Sequence, residues 1–295
     1  MKFGKSESVE GLDLSLPKDH PTTTELLSGL EKAESPKLYI GFPTWAKAKL
    51  PGFYPRGTKD ELTYYSTQLN AIELNASFYR IFPKVQFEKW RDKTPEGFMF
   101  FPKVVQNISH WQRLKDTENL VDEMIYAFEG LEHKLGRVFL QMHNNYAPKD
   151  FDRVISFVEK WPKTFALAME FRHTDWHTDE SVADELHQLL KTHAVSNIIT
   201  DTTGRRDLVH MRLTTPSVFV RFTAADHPVD DQRLEDWADR LALWVENGLE
   251  EIDFFIHQNA DVENPLLANS FRDKMTQRLG TDISVKLQSD SPTLF

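Results

Sequence analysis

Eight short apolar segments, each followed by a polar turn, recur along the chain from Leu38 onward and restrict the folds it can adopt. Segments of this length predict buried β-strands, and the amphipathic stretches between them predict helices. Strands that alternate with helices form a parallel sheet. The predicted strands are Leu38–Phe42, Ala71–Asn75, Gly97–Val104, Arg137–Met142, Phe165–Phe171, Val195–Thr200, Ser217–Thr223 and Ile252–Gln258.

Eight strand–helix units predict an α/β fold of the (β/α)8 TIM-type barrel, because the strands are apolar on both faces and a barrel of this type has eight of them. The chain has 295 residues, which fits one barrel of about 250 residues with additions at its ends. We assign residues 37–276 to the barrel domain, the polar residues 1–36 to an N-terminal extension and residues 277–295 to a C-terminal tail. The predicted helix near Arg205 to Met211 has the weakest signal.

Charge and composition restrict the partners and the compartment. The formal net charge of −10 disfavours nucleic acid as a partner, because polyanion binding depends on clustered cations, but an acidic exterior can surround a basic cleft. The chain contains no cysteine, which excludes thiolate chemistry and is typical of a reducing compartment. No segment approaches the ~18 apolar residues of a membrane span. We therefore expect a cytoplasmic protein without a membrane partner, of an oligomeric state that the sequence leaves open.

Polar residues occupy the ends of several predicted strands, which is where barrels of this type carry their active sites. At four strand ends they stand at positions i and i+2, and therefore on one face of the strand. The pairs are Glu73 and Asn75, Gln141 and His143, Glu170 and Arg172, and Arg221 and Thr223. The apolar residues between them are predicted to face the helices, and these are Leu74, Met142, Phe171 and Phe222.

Further polar residues reach the mouth of the predicted barrel by the same placement. They are Arg80, Lys103, His110, Asp201, His257 and Asn259. Cations outnumber carboxylates in the combined set, and guanidinium groups match planar or tetrahedral oxyanions. The sequence therefore predicts a small-molecule ligand with a carboxylate or a phosphate. A structural ion network that closes the top of the barrel is the alternative interpretation.

Cofactor motifs give little guidance. The sequence has no GxGxxG, Walker or GxSxG motif, so no nucleotide cofactor is predicted. Carboxylates and histidines of the mouth offer metal donors, but without a specific spacing, so a divalent metal is left open and no metal ligand is assigned. Aromatic residues of the first two loops either stack on a ligand ring or, more often, form a loop core. These are Trp45, Phe53, Tyr54, Phe78 and Tyr79.

Eight sequence segments, in a fixed order between Lys37 and Phe271, carry a resemblance to a known family. They are YIGFPTW, FYP, LNAIELNASFYR, TPEGFMFFPKVVQNISHWQRL, LGRVFLQMH, MEFRHTDW, TDTT and VFVRF. In these segments the chain resembles the domain of unknown function 72, or YecE-like, family. The resemblance implies a (β/α)8 barrel, adds Tyr79 and His173 to the polar set, and implies no particular activity. His143 and His257 stand where the family pattern lacks histidine, and Thr223 stands where it has one, so the activity is altered or lost if that histidine is catalytic.

Three functions agree with these residues. The first is an enzyme, left open as a hydrolase, lyase or isomerase, for a small or medium-sized anionic substrate. Its general base would be Glu170 or Asp201, and its acid or electrostatic stabiliser Lys103 or His110. The substrate-binding residues would be Glu73, Asn75, Tyr79, Arg80, Gln141, His143, Arg172, His173, Arg221, His257 and Asn259. The second is a metal-assisted, phosphodiester-cleaving barrel, and the third a non-catalytic ligand-binding barrel.

Overall fold

The computed structural model describes residues 4–258 and 265–280. Their strands are β1 (Lys37–Phe42), β2 (Ala71–Leu74), β3 (Met99–Pro102), β4 (Val138–Gln141), β5 (Leu167–Glu170), β6 (Ser196–Asn197), β7 (Ile199–Asp201), β8 (Ser217–Ala224) and β9 (Glu251–Gln258). Their α-helices are α1 (Pro21–Ser28), α2 (Glu61–Gln68), α3 (Ala76–Tyr79), α4 (Lys84–Asp92), α5 (Glu118–Phe128), α6 (Phe151–Lys160), α7 (Asp175–Thr178), α8 (Glu180–Thr192), α9 (Val229–Glu246) and α10 (Pro265–Leu279). Each of the eight predicted strands is present, the sixth as β6 and β7.

All pairings between these strands are parallel, which confirms the predicted α/β class. The sequence predicts one closed sheet, whereas the described residues form two, in the orders β3-β2-β1-β9-β8-β7 and β4-β5-β6. Between β3 and β4 the ladder is reduced to the isolated bridges Phe100↔Leu135 and Lys103↔Phe139. Ile198 interrupts the sixth strand between β6 and β7. These two places separate the sheets.

A small apolar cluster lies inside the strands and a large one between the strands and the helices. The inner cluster, the apolar layer, consists of Ala71, Phe101, Phe139, Ala168, Ile198, Phe219 and Phe255. Side chains alternate along a strand, so the residues two positions further on lie on the same inner face. These residues, the polar layer, are Glu73, Lys103, Gln141, Glu170, Thr200, Arg221 and His257. The predicted outward residues Leu74, Met142, Phe171 and Phe222 are all buried in the large outer cluster.

Gly41 on β1 lies beside the apolar layer, where there is no room for a side chain. A Cβ atom there would lie 2.3 Å from the carbonyl oxygen of Ala71 and 3.2 Å from the Phe255 ring. We expect Gly41→Ala to lower the free energy of unfolding by about 1–3 kcal/mol, because backbone must shift to accept the methyl group. Urea denaturation measures this, with Gly29→Ala as the control, since a Cβ at Gly29 meets its nearest neighbour at 3.5 Å. Equal stability of the two variants would contradict the close approach.

Three parts of the chain remain to be described: the loop after β7, the N-terminal segment and the last helix. After β7 the chain forms only the short 3-10 turn Arg206–Leu208, where the predicted helix has its weakest signal. The N-terminal segment contacts the loop that follows β7. The Gly4 carbonyl accepts hydrogen bonds from Thr202 Oγ1 at 2.6 Å and from the Gly204 amide at 2.8 Å. The helix α10 continues past the predicted boundary at residue 276. In the described part of the chain no helix has the length and apolarity needed to cross a membrane.

Candidate functional site

Arg221 on β8 is the centre of the polar layer. Its Nε and Nη2 donate to the two carboxylate oxygens of Glu73 at 3.0 and 2.9 Å, and its Nη1 donates to Oε2 of Glu170 at 2.6 Å. Nη1 also donates to Oε1 of Gln141 at 3.2 Å. Glu73 lies on β2, whereas Gln141 and Glu170 lie on β4 and β5, so this one guanidinium connects both sheets.

Glu73 is fully buried, and its neighbours determine both its charge and its orientation. Besides its bonds from Arg221, it accepts from Nδ2 of Asn75 at 2.7 Å and pairs with Nε2 of His257 at 2.9 Å. Burial raises the pKa of this carboxyl group, but Arg221 and His257 outweigh the burial and hold the pKa well below its usual value. Burial in turn lowers the pKa of His257. Glu73 is therefore an ionised acceptor that orients a neutral imidazole.

Glu170 is also buried, and both of its carboxylate oxygens accept hydrogen bonds. Its Oε1 accepts from Nε of Arg172 at 2.6 Å and from Oγ1 of Thr200 at 3.0 Å, while Oε2 accepts from Arg221. Burial raises its pKa, but Arg172 and Arg221 outweigh the burial and lower the pKa to about 2. A carboxylate with so low a pKa is a weak proton acceptor at neutral pH. The geometry therefore favours an orienting role for Glu170 over the predicted role of general base.

Lys103 follows β3 and is the least neutralised cation of the polar layer. Its Nζ donates to Oε1 of Gln141 at 3.0 Å, and among the described residues it forms no ion pair with a carboxylate. Nζ lies 4.4 Å from the ring centroid of Phe78 and 5.7 Å from that of Phe139. Burial, together with the charges of Arg221 and Arg172, lowers the pKa of this amine to about 7. Lys103 therefore changes its protonation near neutral pH.

Two histidines border the polar layer on its solvent side. The ring of His110 contacts the rings of Phe78 and His143 edge to face, with centroids 4.9 and 5.1 Å apart. His143 Nδ1 bonds to Oδ1 of Asn145 at 2.7 Å. Burial, and after it the charge of Lys103, lowers the pKa of His110 to about 4, so this imidazole is neutral at neutral pH. His110 is thus an uncharged neighbour of Lys103 and contacts His143 on its other side.

The backbone that carries His110 is irregular. Residues Asn107–Trp111 form a π-helix, and Arg113, Leu114 and Asp116 have positive φ values of 52°, 64° and 52°. π-Helical turns and left-handed non-glycine residues cost energy and are frequent at functional sites. The segment that borders the polar layer is therefore one of the strained parts of the described chain.

The comparison with protein families decides where the chain belongs. The model described as "Protein of unknown function DUF72" matches residues 39–290. The chain belongs to the DUF72 family.

Relatives and solved structures agree with the DUF72 assignment. UPF0759 protein YecE of Escherichia coli K12 is 24% identical over 82% of this chain and 94% of its own length. UPF0759 protein YunF of Bacillus subtilis 168 is 31% identical over 47% of this chain and 52% of its own length. The crystal structure of a DUF72 family protein from Enterococcus faecalis V583 has a TM-score of 0.66 and 18% identity, covering 81% of this chain and 95% of that one. The structural likeness supports the fold alone.

Several predicted residues of this DUF72 protein lie outside the polar layer. Tyr79 and Arg80 are exposed, and the Arg80 guanidinium lies 4.2 Å from the Phe82 ring centroid. His173 is half-buried and its Nδ1 accepts from the Asp175 amide at 3.3 Å. Asn259 lies outside the described residues. Of the loop aromatics, Trp45 contacts Trp90 and Phe53 contacts Tyr54, at 5.6 and 5.0 Å between centroids, as a loop core does.

Asp201 lies on the opposite face of its strand, which corrects its predicted place in the mouth of the barrel. Its oxygens accept from Nη2 of Arg233 and Nε1 of Trp237 on α9, at 2.8 and 2.7 Å, and from Arg206. The residue in phase with the polar layer is Thr200, which sequence analysis missed. Thr200 pairs in register with Arg221, whereas Asp201 pairs with Phe222, an outward residue.

The structural role of Asp201 leads to a stability prediction. Asp201→Asn removes the charge that compensates two arginines, Arg206 and Arg233, of which Arg233 is 2% exposed. We expect the free energy of unfolding to fall by about 1–3 kcal/mol, because the buried Arg233 loses one of its two carboxylate partners and keeps only Asp230. If the wild type binds an anion, folded Asp201→Asn should bind it with the same affinity. Chemical denaturation measures the free energy of unfolding, and isothermal titration calorimetry measures the anion affinity. A loss of anion binding at unchanged stability would indicate that Asp201 belongs to the binding site.

Within the described part of the chain, metal donors converge away from the polar layer. The donor atoms that lie within 4.8 Å of one another belong to His20, Glu180 and Asp184. Arg212 pairs with both of these carboxylates, at 2.7 and 2.6 Å. None of the three is a residue that the sequence singles out for the mouth, and the arginine occupies the position in which a cation would bind.

Proposed function

We propose that this DUF72 protein is an enzyme that binds a small or medium-sized anionic substrate at the carboxyl ends of its strands, with the Lys103 amine as its proton-transfer group. The observation that carries the proposal is a buried amine without a carboxylate partner among the described residues, whose pKa is about 7. General acid–base catalysis is most efficient when the pKa of the group lies near the working pH. Perturbed groups of this kind concentrate at functional sites.

The proposal includes closure of the two sheets into a (β/α)8 barrel. Two features support closure. The apolar layer takes residues from both sheets, and Arg221 on β8 bonds to Gln141 and Glu170 across the separation. In a closed barrel such layers fill the interior and the polar ends of the strands face the catalytic mouth. A water-reachable mouth then has the polar layer as its floor and His110 and His143 as part of its rim.

The charges of the polar layer and its neighbour Arg172 favour an anion. Arg172 and Arg221 balance Glu73 and Glu170 in formal charge, so protonation of Lys103 adds a net positive charge. The Arg172 side chain is 13% exposed, whereas the Lys103 and Arg221 residues are 7% and 6% exposed, so Arg172 is the cation of this group nearest to solvent. A carboxylate or phosphate beside Lys103 would favour the ammonium form and raise the pKa of Lys103. Substrate binding near neutral pH is therefore expected to take up a proton.

Calorimetry with sulfate and acetate tests the proposal, because neither anion changes its own charge between pH 6 and pH 9. In buffers of different ionisation heat at pH 7, we expect uptake of roughly half a proton per bound anion. Above pH 7 the affinity should fall by up to about tenfold per pH unit, since the neutral amine must first be protonated.

Two variants complete this experiment. Lys103→Met should abolish the proton uptake, whereas Lys149→Met, a change at an exposed lysine, should leave it unchanged. Binding of neither anion, or proton uptake that persists in Lys103→Met, would contradict the proposed function.

A further inference from the structure

We infer that Lys103 is a covalent catalyst, whose amine forms an imine with a substrate that carries both a carbonyl group and an anionic group. This inference rests on the proposed function, because the anion site would hold the substrate next to the amine. It goes further by assigning the class of substrate, an anionic aldehyde or ketone, and the bond that forms. Lysine is the side chain that proteins use for this step, in its neutral form.

The orientation of Gln141 determines where the lone pair of Lys103 points. The guanidinium of Arg221 can only donate, so the amide of Gln141 must turn its Oε1 toward Nη1 at 3.2 Å. The same oxygen lies 3.0 Å from Lys103 Nζ. Lys103 must therefore be the donor in this contact, and the lone pair of the neutral amine is not used by Gln141. A nucleophilic lone pair is left for a carbonyl carbon.

The backbone of Lys103 is fixed from both sides. Its amide donates to the Leu74 carbonyl at 3.3 Å, and its own carbonyl accepts from Oγ of Ser77 at 2.8 Å. The same Ser77 hydroxyl also lies 2.8 Å from the Leu74 carbonyl. A nucleophile on such a support is held in position before the substrate arrives, which reduces the entropy that the reaction must lose.

The surroundings suit both the neutral amine and the cation that replaces it. Burial and the charges of Arg221 and Arg172 lower the pKa of Lys103 and keep a large fraction of the amine neutral near pH 7. The face of Phe78, 4.4 Å from Nζ, interacts favourably with a cation at this position. A protonated imine is such a cation. The surroundings of Nζ are therefore compatible with each stage of the step.

The step balances without an oxidant or a reductant. The nitrogen lone pair forms the C–N bond while the carbonyl π pair moves to oxygen, and one N–H proton passes to that oxygen. The resulting hydroxyl takes up one hydrogen ion from the solution and leaves as water, as the nitrogen lone pair forms the C=N bond. The sum is amine, carbonyl compound and one proton, giving a protonated imine and one water molecule.

Reductive trapping of the full-length protein tests the inference. The protein is incubated at pH 7 with sodium cyanoborohydride and one of three probes: pyruvate, glycolaldehyde phosphate or uncharged glycolaldehyde. Peptide mapping by mass spectrometry then identifies the modified lysines. We expect the anionic probes to label Lys103 at least roughly 10-fold faster than any other lysine, because an ordinary lysine with a pKa of about 10.4 is only about 0.04% neutral at this pH. Whichever anionic probe labels faster shows whether the anionic group is a carboxylate or a phosphate.

Variants separate the anion requirement from amine reactivity. In Arg172→Met, labelling of Lys103 by the anionic probes should fall to the rate that glycolaldehyde shows with the same variant. Glycolaldehyde itself should react more slowly than with the wild type, because the charge of Arg172 no longer lowers the pKa of Lys103. Circular dichroism verifies the fold, and the neutral variant Arg172→Gln serves if the methionine variant does not fold. Lys149→Met should leave all three rates unchanged.

Each outcome decides between the proposals. Labelling spread over exposed lysines with Lys103 unmodified would overturn the covalent role, while sulfate binding with proton uptake would leave the proposed function standing. Equal labelling of Lys103 by the anionic and uncharged probes would overturn the anionic substrate class. Failure of both the trapping and the calorimetry would remove the proposed function as well.

Discussion

Arg221→Met is expected to lower the free energy of unfolding at pH 7 by about 3–5 kcal/mol, because it leaves the buried Glu73 without a permanent cation and Glu170 with Arg172 alone. Glu73 and Glu170 are 0% and 1% exposed and both are bonded to this guanidinium. After the substitution Glu73 keeps Asn75 and His257, but neither carries a permanent positive charge. Chemical denaturation monitored by far-ultraviolet circular dichroism measures the loss.

The pH dependence of the Arg221 effect follows from the carboxyl pKa values. In the wild type the pKa of Glu73 is held well below its usual value and that of Glu170 at about 2, so their stabilising contribution is present above the unfolded-state pKa and is lost as the pH falls. The difference between wild type and Arg221→Met should therefore begin to shrink when the pH falls below about 5 and continue to shrink toward pH 2. Arg153→Met, which removes a partly exposed surface pair with Asp150, should cost no more than about 1 kcal/mol. A difference independent of pH would show that lost packing, not lost charge, destabilises the Arg221 variant.

The arrangement of the polar layer can be predicted from the sequence wherever alternation along a strand is visible. At the ends of β2, β4, β5 and β8 an apolar residue separates two polar ones, so the inner and outer faces can be distinguished. This pattern places Glu73, Gln141, Glu170 and Arg221 together, and their hydrogen bonds show them in contact. The strand pattern therefore carries real information about the interior of the fold.

The sixth strand shows where the same logic is insufficient. Its residues Val195, Ile198 and Ile199 are apolar on both faces, so nothing in the sequence shows which of Thr200 and Asp201 faces inward. A carboxylate is the more conspicuous residue, and the sequence prediction selects it wrongly. The structure places the threonine inside and the aspartate against Arg233, since the phase of the strand is set by its pairing with β8.

The protonation states depend on distances that no sequence pattern encodes. The sequence predicts Glu170 as a base because carboxylates often act as bases, but two arginines hold its pKa at about 2. It predicts Lys103 as an acid or an electrostatic stabiliser, and the low pKa of Lys103 results from burial beside the same arginines.

The contact between His257 and Thr223 also depends on the pairing of strands and not on the sequence of either strand. They pair in register on β9 and β8, so the added imidazole lies next to the position at which the family pattern has its histidine.

Lys103→Met is expected to stabilise the protein at pH 6 by about 2–4 kcal/mol, with an advantage that decreases as the pH rises. The pKa of Lys103 is about 7 in the folded protein against 10.5 for an unperturbed lysine. Between these values the unfolded chain binds a proton that the folded protein does not, so wild-type stability rises with pH through this window. Below pH 7 both states are protonated, and the cost of burying the ammonium group is fully present, at about 1.4 kcal/mol for each tenfold loss of proton affinity.

Methionine removes that cost without leaving a polar group unpaired. It matches the lysine stem in length and packs favourably beside aromatic rings such as Phe78 and Phe139, while Gln141 Oε1 keeps its bond from Arg221. Urea denaturation of wild type and Lys103→Met at pH 6, 7.5 and 9 measures the difference, and Lys149→Met should show none that depends on pH. If the two proteins differ by the same amount at all three pH values, the amine is not held in its neutral form by the fold. A stabilising substitution at a residue required for reactivity would show that this part of the polar layer is maintained for chemistry at the expense of stability.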